Sequence, residues 1–221
     1  MKITIYTSVF GAYDTPGDLR PLPENVKAVC ISDREYKGWE SRIVQPLGLS
    51  KEELAKSNRL YKLKPWLVDS TCDINVYVDG CIKEIIWDKL FCLCETINDT
   101  DTHAIFIKHP REGGLTLPEI REVARQRKAD IHKMLAQFKG YSLDGYRDEV
   151  HIIAANTQIR KTNSESLNNM LNFWWNEVNN GCHRDQISFG YSVWKTQFSK
   201  YKLITKEERG RIFIYGPHQL Y

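Results

Sequence analysis

Residues 74–82 read INVYVDGCI. The first five are β-branched, aromatic or apolar except for Asn75, the composition of a strand buried on both faces. The run then stops at Asp79-Gly80. Two readings of that stop compete. Asp-Gly between apolar flanks is a strong signal for a tight hairpin turn. A carboxylate at a strand end is also a good ligand for Mg2+ or Mn2+, ions that share their shell with substrate phosphates. The residues alone leave both open.

Outward from this stretch, strands and helices alternate. Residues 2–9 and 26–32 are rich in β-branched and aromatic types and read as strands, the second ending at Asp33. Further strands are expected at 104–108, before His109-Pro110, at 150–156, and at 211–215, before Gly-Pro-His218. Between them, Ser50-Lys-Glu-Glu53 is a capping box that opens a helix. Leu90, Phe91, Leu93 and Cys94 give 87–97 a helix-spaced apolar stripe. Pro118 begins one long helix carrying Ile120, Val123, Ala124, Ile131, Met134, Leu135 and Phe138, with Gly140 as its stop. Ser164 is placed to cap a helix that Gly181 ends, and Asp185 to cap the next. Such alternation predicts an α/β fold, a single domain with a mainly parallel sheet flanked by helices.

The bulk properties narrow the function classes. The chain has 221 residues, 42% hydrophobic and 27% charged, which suits one soluble globular domain. Lys and Arg number 31 against 28 Asp and Glu, so net charge gives no reason to expect a nucleic-acid partner. Residues 121–133 form the most basic segment, but its regular apolar stripe fits an ordinary amphipathic helix. No apolar run approaches the roughly 18 residues of a transmembrane segment. The N-terminal MKITIYTSVF lacks the pattern of a signal peptide. The six cysteines show no paired zinc spacing and read as reduced core thiols, so a cytoplasmic setting is expected. GxGxxG and GxxxxGK[ST] phosphate loops are both absent.

In open α/β sheets ligands collect beyond the carboxyl ends of the strands. That rule singles out Thr7, Tyr13, Asp14, Asp33, Asp79, His109 and His218. His109 and His218 are imidazoles suited to Mn2+ or zinc, though a histidine after a strand is often only structural. Arg59 and Lys62 are three apart on one helix face and can neutralise a diphosphate, or form a solvated basic face. Asp185 and Gln186 sit between two aromatic-rich helices. Asp185 is placed to cap the second one, and both project towards a pocket, where they would bind hydroxyls or Asp185 would act as a base or nucleophile; the two roles are not exclusive.

Four segments in order, YTSVFGAYD, VYVDGCIK, KHPR and WWNEVNNGCHRDQISF, resemble the glycosyltransferase-like domain of unknown function found in plant and bacterial proteins, whose plant members include those named for turgor regulation and mucilage. The resemblance spans roughly residues 2–218. It implies a GT-A-type fold with a Rossmann-like sheet, a nucleotide-binding half at about 1–110 and an acceptor and sugar half at about 111–221. It implies that VYVDG stands for the Asp-x-Asp motif, with Asp79 alone acidic, and that Asp79 and His218 hold Mn2+ or Mg2+. By the same resemblance, Thr7 and Tyr13 lie near the base or ribose, Asp33 near the base, and Arg59 and Lys62 face the donor diphosphate. Asp185 and Gln186 contact the transferred sugar, with Asp185 the candidate catalytic carboxylate. His109 and Arg111 answer loosely to an H-x-x-R-like segment that here reads His-Pro-Arg.

The expected activity is transfer of a hexose from a nucleotide-sugar donor, UDP-linked among the options, to a saccharide or glycan acceptor. Assembly into a homo-oligomer is compatible with the sequence. The alternatives are a metal-dependent phosphohydrolase or nuclease using the same Asp and His residues, a non-catalytic nucleotide- or glycan-binding module, and a basic-helix nucleic-acid binder.

Overall fold

The structure is a computed structural model, and residues 1–110 and 114–218 are described. Along the chain the strands are β1 Ile3–Val9, β2 Val26–Ser32, β3 Glu40–Ile43, β4 Ile74–Val78, β5 Ile82–Ile85, β6 Ala104–Lys108, β7 Ile153–Lys161, β8 Tyr201–Ile204 and β9 Phe213–Tyr215. The helices are α1 Lys51–Leu63, α2 Trp87–Asp99, α3 Thr116–Arg125, α4 Ile131–Leu143, α5 Glu165–Asn180, α6 Asp185–Thr196 and α7 Lys206–Gly210.

Seven strands form one sheet in the order β3-β2-β1-β4-β7-β6-β8. All neighbours are parallel except β7, which runs antiparallel to both β4 and β6. The fold is thus the expected mixed, mainly parallel α/β single domain. Successive side chains of a strand point to opposite faces, and both faces are covered here. Ile5, Val76, Val78, Ile105 and Ile107 pack with Leu90, Cys94 and Ile97 of α2. On the other face Phe106 meets Leu63 of α1, Trp174 of α5 and Phe189 of α6. Coverage on both faces explains why β1 and β4 are buried at every position rather than at alternate ones.

The INVYVDGCI stretch turns but does not make a hairpin. Ile82 N–H donates to the Asp79 carbonyl at 3.0 Å, closing a turn. The chain then leaves the main sheet, because β5 pairs with β9 in a separate two-stranded sheet. β4 gains β1 on one side and β7 on the other.

Three sequence expectations need correction. The helix expected from Pro118 to Gly140 is two helices. Arg127 takes a left-handed φ of 52°, and Asp130 starts α4 by accepting from the His132 and Lys133 N–H groups. Gly140 lies inside α4 rather than ending it. The strand placed at 150–156 runs from Ile153 to Lys161, its second half disguised by buried polar residues Thr157, Gln158 and Arg160. Short β3, β5 and β8 were not expected, since segments such as ESRI and IKEI carry little apolar signal.

Candidate functional site

The site begins in α1. Ser50 and Glu53 form the predicted capping box: Glu53 N–H donates to Ser50 Oγ at 3.2 Å, and Ser50 N–H donates back to Glu53 Oε2 at 2.9 Å. The helix so started delivers Asn58, Arg59 and Lys62 towards the ends of β1 and β4. Lys62 is 3% exposed at its side chain, and its Nζ lies 2.6 Å from Asp185 Oδ2. The same ammonium stands 4.0 Å from Asp79 Oδ1 and 5.0 Å from the centre of the Tyr77 ring. Arg59 Nε is 4.0 Å from Asp185 Oδ2. Tyr77 O–H donates to Asp79 Oδ1 at 2.8 Å, and Asn58 Nδ2 donates to Tyr77 Oη at 3.2 Å. Arg59, Asp185, Lys62, Asp79, Tyr77 and Asn58 therefore form one connected polar group.

Lys62 is also held from below. Its carbonyl accepts from Arg160 Nη1 at 2.7 Å and from the Tyr6 hydroxyl at 3.2 Å, and Arg160 donates to Tyr6 as well. Arg160 is wholly buried in the antiparallel strand β7. Burial pushes the Tyr6 hydroxyl up to about 12, with the Arg160 charge opposing.

Asp185 does not cap α6. It is the first helical residue, and the preceding Arg184 makes no side-chain cap bond. Asp185 Oδ2 faces the buried ammonium of Lys62, while its Oδ1 accepts from the Gln186 N–H at 3.1 Å. Trp174 Nε1 donates to the Asp185 carbonyl at 2.8 Å, tying the start of α6 to α5. Burial alone would raise the Asp185 carboxyl, but the Lys62 and Arg59 charges outweigh it and hold the group well below the usual carboxylate range. Gln186 accepts from Arg184 Nη2 at 2.8 Å. The imidazole of neighbouring His183 is pushed down to about 4, first by burial and then by the Arg59 and Arg184 charges. Lys62, Arg59 and Arg184 face Asp185 and Asp79, so positive charge exceeds negative by one here, which makes the region attractive to an anion.

A second group lies beside the first. The loop after β1, the turn after β4 and the segment after β9 converge to bring Asp14, Cys81 and His218 together. Their donor atoms all lie within 4.8 Å of one another. His218 Nδ1 is 3.0 Å from Asp14 Oδ2, and its Nε2 is 3.9 Å from Cys81 Sγ. This is the one group of three such side chains found among the described residues. Its carboxylate, imidazole and thiol are metal-ligand types, so the residues present fit a divalent ion. Asp79, the other ligand implied by resemblance, stays outside this group and faces Tyr77 and Lys62.

The remaining candidates are spread around these two groups. Thr7 is fully buried in β1. Tyr13 is exposed, with its ring centre 5.6 Å from that of His218. Asp33 Oδ2 accepts from Gly11 N–H at 2.8 Å, and Asp33 Oδ1 accepts from Arg34 Nε at 3.0 Å. His109 Nε2 is 3.7 Å from Glu119 Oε2 of α3. Arg111 lies outside the described residues. The sequence reading treated Cys81 as a core thiol. A signal was available: Cys81 is two residues after Asp79, where an Asp-x-Asp pattern has its second carboxylate. Arg160 left no signal, since a polar residue in a strand is usually exposed.

Residues 57–218 match the model of the TOD1/MUCI70, glycosyltransferase-like domain family. The match spans well over half the chain, which therefore belongs to that family. No curated protein matches it in sequence. Among solved structures, mouse xyloside xylosyltransferase 1 in its apo form is similar at 7% identity and a TM-score of 0.49, covering 92% of this chain and 84% of that one. A glycosyltransferase involved in glycosylation of the major capsid of PBCV-1 is similar at 9% identity and 0.47, covering 97% and 94%. The bifunctional glycosyltransferase WbbM in its apo form is similar at 11% identity and 0.47, covering 92% of this chain and 38% of its own.

Proposed function

We propose that this member of the TOD1/MUCI70 glycosyltransferase-like domain family transfers a hexose from a nucleotide-sugar donor to a saccharide or glycan acceptor. The observation that carries the reading is the buried Lys62–Asp185 pair, flanked by Arg59 and Asp79 beyond the carboxyl ends of β1 and β4. In the transfer, the bond from the anomeric carbon to the diphosphate oxygen breaks, the acceptor hydroxyl oxygen bonds to that carbon, and the hydroxyl proton passes to the leaving diphosphate or to solvent. Negative charge collects on the leaving diphosphate, and Arg59 and Lys62 are fixed cations that stabilise it. The anomeric centre becomes oxocarbenium-like, and an ionised Asp185 favours that charge. Tyr77 and Asn58 orient Asp79; Arg160 and Tyr6 hold the Lys62 backbone. A divalent ion held by Asp14, Cys81 and His218 would add further positive charge beside the diphosphate.

The test is a thermal melt against nucleoside diphosphates and nucleotide sugars, because a ligand that binds only the folded state raises the midpoint. One nucleoside diphosphate should raise it, UDP being the first to try. Asp185→Asn should keep nucleotide binding and lower transfer by about 100-fold or more. A folded protein that shifts with no nucleotide, or one that cleaves phosphodiesters without moving sugar, overturns the reading.

A further inference from the structure

The group Asp14–Cys81–His218 carries chemistry that the family resemblance does not. That resemblance implies Mn2+ or Mg2+ held by the Asp79 carboxylate and the His218 imidazole. Mg2+ demands a near-octahedral shell of oxygens, and a thiolate is a poor member of it. Thiolate and imidazole together suit borderline and softer ions, and Zn2+ takes Cys, His and carboxylate ligands in one tetrahedral shell.

We propose that Asp14, Cys81 and His218 form a thiolate-bearing site selective for Zn2+ over Mg2+ and Mn2+. Four observations support it. First, the three donor atoms lie within 4.8 Å of one another, while a tetrahedral Zn2+ with bonds of about 2.0–2.3 Å needs its donors roughly 3.3–3.8 Å apart. A small contraction closes the gap.

Second, the Asp14 carboxylate is 6% exposed, and among the described residues no lysine or arginine forms an ion pair with it. Its cationic partner is His218. A buried carboxylate facing an imidazole and a thiol lacks the fixed cation that Asp185 has. Third, the backbone makes the close approach possible. A Cβ on Gly80 would sit 2.9 Å from Asp14 Cβ and 2.6 Å from Val9 Cγ2, so only glycine lets the turn after β4 meet the loop after β1. Gly216 N–H donates to the Cys81 carbonyl at 2.9 Å, fixing the third segment against the turn.

Fourth, His218 is half-exposed, at 47% of its side chain, while Cys81 and Asp14 are buried. The ring now presents Nδ1 to Asp14 and Nε2 towards Cys81 Sγ. Its exposure leaves it free to turn and present one nitrogen to an ion. Three protein ligands with the remaining position towards solvent are the pattern of an open rather than a closed zinc site. On binding, the Cys81 S–H bond and the N–H bond of the ligating His218 nitrogen break, S–metal and N–metal bonds form, and both protons leave to solvent.

The inference rests on the transferase reading for what the ion does there, but not for its binding. It is tested on the full chain without nucleotide. Co2+ serves as the optical probe, because a thiolate ligand gives a charge-transfer band in the near-ultraviolet. Wild type should show the band with one equivalent of Co2+, lose it on adding Zn2+, and keep it in excess Mg2+ or Mn2+. Cys81→Ser should abolish the band, whereas Cys92→Ser, at an exposed cysteine elsewhere, should keep it. His218→Ala should weaken Zn2+ binding by at least the roughly 10–100-fold that even outer-shell changes cost. Cys81→Asp guards against a serine variant that fails to fold: it should bind Mn2+ better than wild type does and show no band.

The proposal is overturned if folded wild type gives no band, if Cys92→Ser removes it, or if Mn2+ displaces Zn2+ at equal concentration. Zn2+ binding without any nucleotide binding would sink the transferase reading alone. Nucleotide binding that needs Mn2+ and shows no thiolate band would sink the zinc inference alone.

Discussion

Two carboxylate–cation pairs lie near the carboxyl ends of the central strands, and they are built in opposite ways. Lys62 and Asp185 are both 3% exposed and 2.6 Å apart. Each is anchored by its own helix, and Arg160, Tyr6 and Trp174 brace the backbone beneath them. Asp14 and His218 are 3.0 Å apart, but the imidazole is half-exposed and sits on a short segment after β9. The first pair is a dry, fixed charge distribution. The second keeps one partner wet and able to turn. A transferase needs both kinds: fixed cations that need no reorganisation as charge develops, and an exchangeable position that a ligand can enter and leave.

The comparison breaks most visibly at the dry pair. Lys62→Met leaves the Asp185 carboxylate buried without its partner. That should cost about 3–5 kcal/mol, because removing one member of a buried pair strands the other. For a chain of this size the melting midpoint should fall by about 6–20 °C. The double variant Lys62→Met with Asp185→Leu should recover most of that loss in urea unfolding while sugar transfer stays abolished. If the single variant melts like wild type, the pair is not the closed element described here.

The next effect is on pH. His183 lies beside the dry pair and has its folded pKa depressed to about 4. An unfolded imidazole takes up its proton near 6.5, so between these values the unfolded state binds more protons. Stability from this group is therefore complete above about pH 6.5 and lost as pH falls towards 4. Partial exposure trims the contribution to about 2 kcal/mol. Urea midpoints measured from pH 7 to 4.5 should fall accordingly, and His183→Asn should flatten that slope. A slope unchanged by the substitution would mean that burial and the Arg59 and Arg184 charges do not depress this ring.

The smallest effect belongs to the wet pair. Asp14→Asn should change stability by less than about 1 kcal/mol without metal, since a half-exposed partner regains water when the pair is lost. Equal losses from Asp14→Asn and Lys62→Met in parallel urea titrations would erase the distinction between the two pairs.

Legibility in the sequence followed locality. The capping box at Ser50, the apolar runs of β1 and β4 and the helix that starts after Ser164 are written in neighbouring residues. The helical bonds close within a few positions and the apolar runs are continuous, although β1 and β4 find their ladder partners only in distant strands. The split between α3 and α4 was hidden because the apolar stripe continues across it, and only the left-handed Arg127 and the Asp130 cap reveal the break. β7 was misplaced because Gln158 and Arg160 are polar, and nothing nearby in sequence says that the Lys62 carbonyl awaits Arg160.

The same division holds at the site. Sequence by itself determined the α/β class, most of the strand ends, and the residue types able to serve an anion or a cation. It also pointed to the family through four short segments in order. Tertiary structure decided which of those residues meet: Asp185 with Lys62 across 123 positions of chain, and His218 with Asp14 and Cys81 rather than with Asp79. The reason is physical. Local patterns fix an element's type through its own helical bonds or its run of apolar residues, whereas a site is set by which strand lies beside which. Here the insertion of antiparallel β7 between β4 and β6 puts Arg160 beneath Lys62.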